Sequence, residues 1–321
     1  MSQDIYVVIE HLREQVADIS YVMLAAARES AQSTGGKVVA VLLGHNAKGL
    51  AGNFAADQVL YLDHSALADF NPDAYQKALT DLIGKNQPRT VLFGSTSIGA
   101  DLASVLSIRL NLPLVSSCRS LAKDGKFVSQ ICGGKIMAEG ELPAPTALVT
   151  MIPGGYKVEQ GQSKQSPPVT QVEVPVLGSL RVTLANYIEP EAGDVDIAKE
   201  PILVSVGRGI QNKDNIALAE DLAKALGGVV TASRPVIDQG WLVASRLVGK
   251  SGKHVEPKIY LTLGISGAPE HVEAITDSET IIAINTDPKA PIFDIAKYGV
   301  EMDMFDLIEV MTEKVKEAKG R

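Results

Sequence analysis

The last third of the chain contains a group of loops rich in glycine, short hydroxyl side chains and cations. Each loop follows a predicted strand or lies between two of them, and the group comprises Gly207–Gly209, Ser233–Arg234, Gly249–Gly252 and Ser266–His271. Because the carboxyl ends of neighbouring parallel strands meet at one edge of a sheet, we expect these loops to line a single crevice.

The residue types in these loops suit a large dinucleotide. Glycines allow the backbone to approach a ligand closely, and exposed backbone amides together with Arg208 or Lys250 can neutralise a pyrophosphate. Arg234 offers a planar cation that can lie against an aromatic ring. Short hydroxyl donors are supplied by Ser233, Ser251 and Ser266. The pattern therefore predicts a dinucleotide site.

Three fragments of this region resemble known motifs without completing them. The segment Gly207–Asn212 has Asn212 in place of the third glycine of a dinucleotide fingerprint. Ala244–Ser251 ends like a Walker A loop, but Ala244 stands where the first glycine is needed, which disfavours a kinase or an ATPase. Gly264–Ala268 has its second glycine one place too early for a nucleophile elbow. Because the five histidines are scattered and supply no evident base, a serine hydrolase is disfavoured as well.

Length and hydrophobic periodicity predict the elements that position these loops. At about 150 residues per domain, 321 residues predict two domains. From residue 5 to about 115, short apolar runs alternate with amphipathic stretches, which is typical of a parallel sheet covered by helices. Residues 125–178 add a strand-rich end to this first α/β domain. The alternation restarts at residue 202 and ends in a helix capped by Asp303, which predicts a smaller, doubly wound, Rossmann-like α/β domain.

The boundary between the two domains is predicted at an acidic stretch. Residues 189–200 hold five carboxylates against the single Lys199, with Pro190 and Gly193 among them. A charged segment with chain-breaking residues just before a new strand is typical of a linker. We therefore predict an N-terminal α/β domain over 1–188, a linker over 189–200 and a C-terminal domain over 201–321.

A turn of small residues also opens a helix in the first domain, over residues 94–110. Loops after parallel strands are where α/β folds bind ligands, so this turn could form an anion or nucleotide pocket. The alternative is a plain connection with an ordinary helix cap. The sequence favours the cap and leaves the pocket open.

Composition argues against several functional classes. A net charge of -8 disfavours nucleic-acid binding, which needs clustered lysine and arginine. No segment approaches the roughly 18 consecutive apolar residues of a membrane span, so direct membrane insertion is not expected. The two cysteines, Cys118 and Cys132, cannot build a disulfide framework or a four-cysteine zinc site, and we expect no metal. This cysteine usage, with an amino terminus unlike a secretory signal, predicts a cytoplasmic protein.

Several segments of the C-terminal region resemble, in order and spacing, the FAD-binding domain of the electron transfer flavoprotein alpha subunit. The strongest matches are Val248–Lys253, Pro257–Tyr260, Gly264–His271, Ile282–Pro288 and Ala290–Phe293. The same family is matched by Gly207–Gly209, Ala232–Arg234, and Tyr298-Gly299 with Asp303. The resemblance runs from about residue 201 to the end, and the first domain is compatible with it in length and layout.

The resemblance implies that the chain is one subunit of a heterodimer with an electron transfer flavoprotein beta subunit. The first domain would resemble and bind that partner, and FAD would lie mainly in the C-terminal domain, with AMP or a second FAD in the beta subunit. The chain would be an electron carrier rather than an enzyme. It would pass electrons from flavin dehydrogenases, such as the acyl-CoA dehydrogenases of fatty acid beta-oxidation, to a quinone-reducing acceptor protein.

Two alternatives stay open. An NADH-oxidising, electron-bifurcating flavoprotein would use the same kind of alpha chain, and the discriminating residues would lie mostly in its partner. A nucleotide-binding regulatory module without redox activity would keep the fold, and the altered segment Pro269–Ile275 is the feature that favours it.

The resemblance also implies a set of FAD contacts. Within it, Arg234 covers the face of the isoalloxazine ring, Ser251 reaches flavin N5 and His271 approaches the O2 edge, so these three would carry the redox chemistry. A cation and a donor near N1 and O2 stabilise negative charge on the reduced ring and permit one-electron steps. The full set of implied contacts is Arg208, Ser233, Arg234, Val248, Gly249, Lys250, Ser251, Ser266, Gly267, Ala268, Pro269, Glu270, His271, Asn285, Asp303 and Met304.

Taken singly, several of these residues also have an ordinary structural interpretation. Arg234 could form a surface ion pair, and His271 could be a histidine at the start of a helix. Asp303 suits a helix N-cap, a role that does not exclude ligand binding, and Asn285 could simply end a strand.

The chain departs from the family pattern in two segments. Lys250 stands where glutamine is common in the family. Pro269-Glu270 stand where it commonly has Ile-Gln, and Val272–Ile275 stand where it usually has Leu-Ala-Gly-Met. We expect Glu270 to place a carboxylate near the flavin, which disfavours negative charge on the ring unless Lys250 or Arg234 offsets it. The flavin potential should then differ from that of a typical relative, and replacing Glu270 with glutamine should raise it. A Glu270 side chain that points away from the ring would leave the potential unchanged.

Overall fold

The first sheet is built from apolar runs that are buried on both faces, as a helix-covered parallel sheet requires. The computed structural model describes residues 2–122, 125–132, 136–187 and 195–320, and the chain divides between Asn186 and Tyr187 into two compact units. The strands of the first unit are β1 (Ile5–Val8), β2 (His11–Leu12), β3 (Gln15–Val16), β4 (Val38–Gly44), β5 (Gln58–Asp63), β6 (Thr90–Gly94), β7 (Leu114–Leu121), β8 (Lys126–Ile131), β9 (Ile136–Glu141), β10 (Ala147–Met151) and β11 (Val169–Val172). Its helices are α1 (Asp18–Thr34), α2 (Pro72–Asn86) and α3 (Ser97–Leu110).

Nine of these strands form one sheet in the order β11-β5-β4-β1-β6-β10-β7-β8-β9. The strands from β11 to β7 pair in parallel, whereas β8 and β9 add an antiparallel end. The predicted parallel sheet with a strand-rich end is therefore confirmed. The strand-rich end also contains β10, which returns into the sheet between β6 and β7.

The turn that opens α3 is capped from within the chain. Thr96 accepts a hydrogen bond from the backbone amide of Gly99 at 3.0 Å, and its hydroxyl lies 2.9 Å from both carboxylate oxygens of Glu10. Glu10 is buried, and burial raises the pKa of its carboxyl group. Because this carboxyl group lies at the helix start, where an anion would otherwise bind, the structure agrees with the cap rather than with the anion pocket.

The second unit has a smaller sheet of five strands, all parallel, which are β12 (Ile202–Val206), β13 (Val229–Ala232), β14 (Ile259–Leu263), β15 (Ile281–Asn285) and β16 (Tyr298–Glu301). Its helices are α4 (Ile216–Leu226), α5 (Arg234–Asp238), α6 (Pro269–Val272) and α7 (Met304–Lys319). The strand order is β13-β12-β14-β15-β16, so the chain changes direction at β12. In such sheets ligands bind beyond the carboxyl ends of the strands at this switch point, which here lies between β12 and β14.

The two faces of the smaller sheet are covered differently. Helices α4 and α7 pack on one face, where Leu222 and Ile308 are among the buried contacts. The other face carries Tyr260 and is covered by α6 and irregular segments that bury Val255 and Ile292. This second cover is the part of the unit that carries several of the predicted site loops.

Three elements of the second unit are absent from the sequence-based prediction. Helices α5 and α6 are only five and four residues long, and each has a proline in its first turn. They are too short for a helical hydrophobic period to appear. Strand β16 is the edge strand and is largely exposed, so no apolar run marks it.

Of the linker predicted over 189–200, residues 189–194 lie outside the described residues. In the described part, Ile197–Lys199 forms a 3₁₀ turn, and Ile197 is buried in the core of the second unit. The predicted domain boundaries stay a prediction. In the ranges that the structure describes, no helix is both long enough and apolar enough to cross a membrane.

Candidate functional site

Three glycines bring the backbone of two loops together at the switch point of the smaller sheet. The amide of Gly207 donates to the carbonyl oxygen of Leu263 at 2.9 Å, and the amide of Gly209 donates to that of Gly264 at 3.3 Å. Gly264 has a φ of +66°, and a Cβ atom built on it would lie 2.8 Å from the Cα of Gly209. Only glycine permits this approach, so the loops after β12 and β14 meet in a surface made of backbone.

A cavity of about 220 Å³ opens beside these glycines. Three of the predicted site residues line it, namely Asn285, Asp303 and Met304, together with Gly209 and Gly264. These residues come from the ends of different strands, as the predicted convergence at one sheet edge requires.

The two polar residues of the cavity that the sequence predicted, Asn285 and Asp303, are oriented by bonds to the backbone. Asn285 donates to the carbonyl oxygen of Ile265 at 2.9 Å and accepts from the amide of Asp287 at 2.9 Å. Asp303 accepts from the amide of Phe305 at 3.0 Å, which confirms the predicted N-cap of α7. Asp303 therefore caps a helix and lines the cavity at once.

Sequence reasoning missed Gln211, Thr286 and Met302, which also line the cavity. Gln211 has φ 69° and ψ -43°, and the amide of Asn212 bonds to the carbonyl oxygen of Ile210 at 2.8 Å across it. This is a γ-turn with positive φ, a rare and strained conformation for a residue with a side chain. Nothing in a glutamine signals such a turn. Thr286 and Met302 could have been found, since each is adjacent to a residue that was predicted.

A second group of predicted residues gathers around the loop Val248–Lys253. Arg234, at the start of α5, donates to the hydroxyl of Ser251 at 3.1 Å and to the carboxylate of Asp238 at 2.5 Å. The side chains of Arg234 and Asp238 are 60% and 55% exposed, so their pairing is a surface ion pair. Arg234 therefore forms the surface ion pair of its ordinary structural interpretation. It also contacts Ser251, a second residue predicted to bind the flavin.

The loop Val248–Lys253 is attached to α6 through its backbone. The amide of Lys250 donates to the carbonyl oxygen of Glu270 at 2.7 Å. Gly249 has a φ of +145°, and a Cβ atom on it would lie 3.3 Å from the same oxygen. The side chains of Lys250 and Glu270 are both exposed. Lys250 and Glu270, which both depart from the family pattern, thus lie next to each other along their backbones.

His271 is only 5% exposed, and both of its ring nitrogens have partners within the chain. Nδ1 lies 3.1 Å from the carbonyl oxygen of Val248, and Nε2 lies 3.0 Å from the hydroxyl of Tyr260. Burial lowers the pKa of His271 to about 4, so the ring is neutral at pH 7. The expected approach of His271 to the flavin O2 edge stays a prediction, and in this arrangement neither nitrogen is available for it.

The other predicted residues connect or flank these two groups. Gly267 lies in the loop that joins the cavity to α6 and has a φ of +90°. The neighbouring Ser266 is exposed. Ser233 is 7% exposed at the end of β13, whereas Arg208 is exposed on the turn after β12. Ala268 and Pro269 start α6. The predicted residues thus form two groups on one sheet edge, joined by one loop.

The site offers no metal ligand set. Within the described ranges there is no group of three or more histidine, cysteine, aspartate or glutamate side chains that could hold an ion. The donors are instead glycine backbones, hydroxyl groups and three exposed cations, Arg208, Arg234 and Lys250. That set fits a phosphate-containing dinucleotide with an aromatic ring.

Each of the two units contains a segment that matches a family model of electron transfer flavoproteins. The electron transfer flavoprotein domain model matches residues 5–177, and the electron transfer flavoprotein FAD-binding domain model matches residues 196–276. Together these matches cover most of the chain and agree with the resemblance found in its motifs.

Relatives from three bacteria align along nearly their whole length. The electron transfer flavoprotein subunit alpha of Thermoanaerobacterium thermosaccharolyticum is 34% identical over 326 residues, which cover 99% of each chain. The acryloyl-CoA reductase electron transfer subunit beta of Anaerotignum propionicum is 34% identical over 355 residues, covering 99% of this chain and 97% of the relative. The electron transfer flavoprotein subunit alpha of Bacillus subtilis is 30% identical and covers 97% of each chain. The chain belongs to the electron transfer flavoprotein alpha subunit family.

Proposed function

We propose that this chain is the FAD-binding alpha subunit of an electron transfer flavoprotein and carries electrons as a heterodimer with a beta subunit. The observation that carries the proposal is the pairing of a glycine-lined cavity with the Arg234–Ser251 contact on one sheet edge. The cavity suits the nucleotide half of FAD, and the second group suits its ring. Both lie in the unit matched by the FAD-binding family model.

Each group of residues has a task that its chemistry supports. The backbone at Gly209 and Gly264 leaves room for the ligand to approach, and Asp303 offers a carboxylate acceptor to ribose hydroxyls. Arg208 and Lys250 are exposed cations for the pyrophosphate. FAD, when bound, supplies the redox chemistry, and the chain orients it and sets the charge around it.

Arg234 and Ser251 are the residues we propose to act on the ring. Arg234 brings a planar cation, and Ser251 brings a hydroxyl that already shares a hydrogen bond with it. A cation and a donor at fixed positions stabilise negative charge without reorganisation. Asp238 partly neutralises that cation. Glu270, whose backbone bonds to that of Lys250, attaches an exposed carboxylate at a neighbouring position.

We further propose that the chain is a carrier rather than an enzyme, that flavin dehydrogenases donate to it, and that a quinone-reducing protein accepts from it. The relative from Anaerotignum propionicum is named as an electron transfer subunit of acryloyl-CoA reductase, which favours a partner that acts on acyl-CoA compounds. A cytoplasmic location remains part of the proposal because of the cysteine usage.

One experiment distinguishes the proposed carrier from two other functions, an electron-bifurcating flavoprotein and a regulatory module. The chain is co-expressed with its beta subunit, the FAD and AMP released from the purified heterodimer are counted, and a parallel sample receives NADH. An ordinary carrier releases one FAD and one AMP and is not bleached by NADH. Two FAD with bleaching by NADH indicate an electron-bifurcating flavoprotein. A heterodimer without flavin overturns the proposal and supports a regulatory module.

A further inference from the structure

An ion pair attaches one of the site loops to the segment that precedes β12. Nζ of Lys253 donates to Oδ1 of Asp196 at 2.5 Å, across 57 positions of sequence. Lys253 is the last residue of the loop Val248–Lys253, whereas Asp196 lies in the acidic stretch before the first strand of the second unit. We call these two residues the Asp196–Lys253 pair.

Asp196 is held in place by the turn that follows it. Its carboxylate accepts from the amide of Ala198 at 3.4 Å, and its carbonyl oxygen accepts from the amide of Lys199 at 3.0 Å. In this turn Ile197 is fully buried, in the same apolar cluster as Val248. Because the turn is anchored in the core of the unit, the carboxylate of Asp196 has a defined position.

Lys253 closes the loop at its neck. Its amide donates to the carbonyl oxygen of Leu247 at 2.8 Å, and its own carbonyl oxygen accepts from the amide of Gly249 at 3.2 Å. The two ends of the loop therefore lie side by side, with Lys250 and Ser251 between them. Any movement of Lys253 changes the base on which Ser251 stands.

The other attachments of this loop are made at its middle. Arg234 donates to the hydroxyl of Ser251 at 3.1 Å, and the backbone of Glu270 accepts from the amide of Lys250 at 2.7 Å. The Asp196–Lys253 pair acts at the neck instead. It adds a side-chain attachment from a segment that the sequence predicts as a linker.

Two lysines lie near the carboxylate of Asp196, and they differ in distance. Nζ of Lys199 lies 3.4 Å from Oδ2, on a side chain that is 83% exposed. Lys253 is closer, and its hydrogen bond is the main cause that lowers the pKa of Asp196. The carboxylate is therefore ionised at neutral pH, and its stronger partner is the lysine of the site loop.

We propose that Asp196 is a positioning residue of the candidate site: its ion pair with Lys253 fixes the neck of the loop that presents Ser251 to the ligand. Asp196 acts through the loop and does not itself contact the flavin. The end of the acidic stretch thus belongs to the site as well as to the connection between the units. The ligand rests on the proposed function, whereas the ion pair is a property of the chain alone.

The test compares the wild-type heterodimer with Asp196→Asn and with the control Glu200→Gln. Asparagine keeps a side-chain oxygen that can cap the turn and removes the charge, so the loss is that of the ion pair. Glu200 ends the same turn, and its carboxylate forms no ion pair within the described part of the chain. Hydrogen exchange at the Gly249 amide reports on the neck, because none of the variants changes a residue adjacent to it. The dissociation constant and the visible spectrum of bound FAD report on the site.

Exchange at Gly249 should accelerate about two- to fivefold in Asp196→Asn, the range expected for an exposed ion pair. Raising the salt concentration should accelerate it in the wild type, because salt screens exposed charges, but not in Asp196→Asn. The dissociation constant of FAD should rise by up to about fivefold with a shifted spectrum. Glu200→Gln should match the wild type in every measurement.

A double-mutant cycle tests whether Asp196 acts through Lys253. Lys253→Gln alone should accelerate exchange at Gly249 as much as Asp196→Asn does. The double variant should be no faster than either single variant, because each change already removes the whole ion pair.

Three results would overturn the proposal. The first is unchanged exchange at Gly249 in Asp196→Asn, and the second is an additive effect in the double variant. The third is faster exchange with an unchanged FAD affinity and spectrum, which would make Asp196 a structural residue of the loop alone. A wild-type heterodimer that lacks FAD would instead count against the proposed function, because exchange at Gly249 can be measured without the ligand.

Discussion

The guanidinium group of Arg234 donates a hydrogen bond to the hydroxyl of Ser251 at 3.1 Å, across 17 positions of sequence. Arg234 follows β13, whereas Ser251 lies in a long loop that ends at β14. The two residues that the family resemblance assigns to the flavin face and to N5 are therefore neighbours before any ligand is considered. We therefore propose that the flavin ring lies at this contact.

The charge of Arg234 is moderated by Asp238, one turn along α5. Replacing Asp238 with asparagine should raise the one-electron potential of bound flavin, because the cation facing the ring is then no longer partly neutralised. Stability should change by less than about 1 kcal/mol, since the pair is exposed. A spectroelectrochemical titration measures the potential. Glu317→Gln, which breaks the exposed pair with Lys314, is the control, and an equal shift in both variants would contradict the prediction.

Glu270 is the second carboxylate of the ring region. Its backbone carbonyl accepts from the amide of Lys250, so Glu270 adjoins the loop Val248–Lys253, and its side chain is exposed. Replacing Glu270 with glutamine should raise the one-electron potential, because a negative charge near the ring is lost. The matched control is Glu279→Gln, an exposed carboxylate at the start of β15. An unchanged titration for Glu270→Gln would mean that its side chain points away from the flavin.

The stability cost of adding a side chain at the close approach of Gly209 and Gly264 can be measured apart from the cost of the positive φ at Gly264. Gly264 and Gly240 have nearly the same φ, +66° and +68°, but a Cβ atom on Gly240 would meet nothing within 4 Å. Gly240→Ala should therefore cost about 1–2 kcal/mol of unfolding free energy through conformation alone. Gly264→Ala should cost a further ~1–3 kcal/mol through overlap with Gly209 and Met304. Urea denaturation of both variants measures the difference, and equal losses would refute the close approach.

The buried His271 predicts a dependence of stability on pH. Its pKa is lowered from 6.5 to about 4 in the folded chain. As the pH falls from 6.5 towards 4, the unfolded chain binds a proton at this histidine that the folded chain does not, so the free energy of unfolding falls. The loss from this residue should reach about 3 kcal/mol when the pH has fallen to that of the folded pKa. Urea denaturation at several pH values should show a smaller slope for His271→Gln than for the exposed control His64→Gln. Identical slopes would contradict the burial of a neutral ring.

Three strands of the second unit, β12, β13 and β14, could be predicted with their observed bounds, and the reason is physical. Each is buried on both faces and therefore appears as a mostly apolar run. Helix α7 was predicted for another local reason, because Asp303 is a strong N-cap before an amphipathic stretch.

The parts of the site that the sequence did not reveal depend on contacts between distant segments. Tyr260 reads as one more apolar residue of its strand, and only the fold places its hydroxyl against His271. Gln211 adopts a positive φ that its residue type does not signal. The link between Arg234 and Ser251 likewise depends on how a long loop returns across the sheet edge, which hydrophobic periodicity does not encode.

The most direct measurement of the central claim is the affinity of the heterodimer for FAD when Ser251 is replaced by alanine. The control is Ser278→Ala, which removes a buried hydroxyl of the same unit that has no hydrogen-bond partner among the described residues. If the flavin ring lies at the Arg234–Ser251 contact, Ser251→Ala should weaken binding about fivefold and shift the flavin absorption, while the control should match wild type. Equal affinities and spectra for all three proteins would contradict the location of the ring.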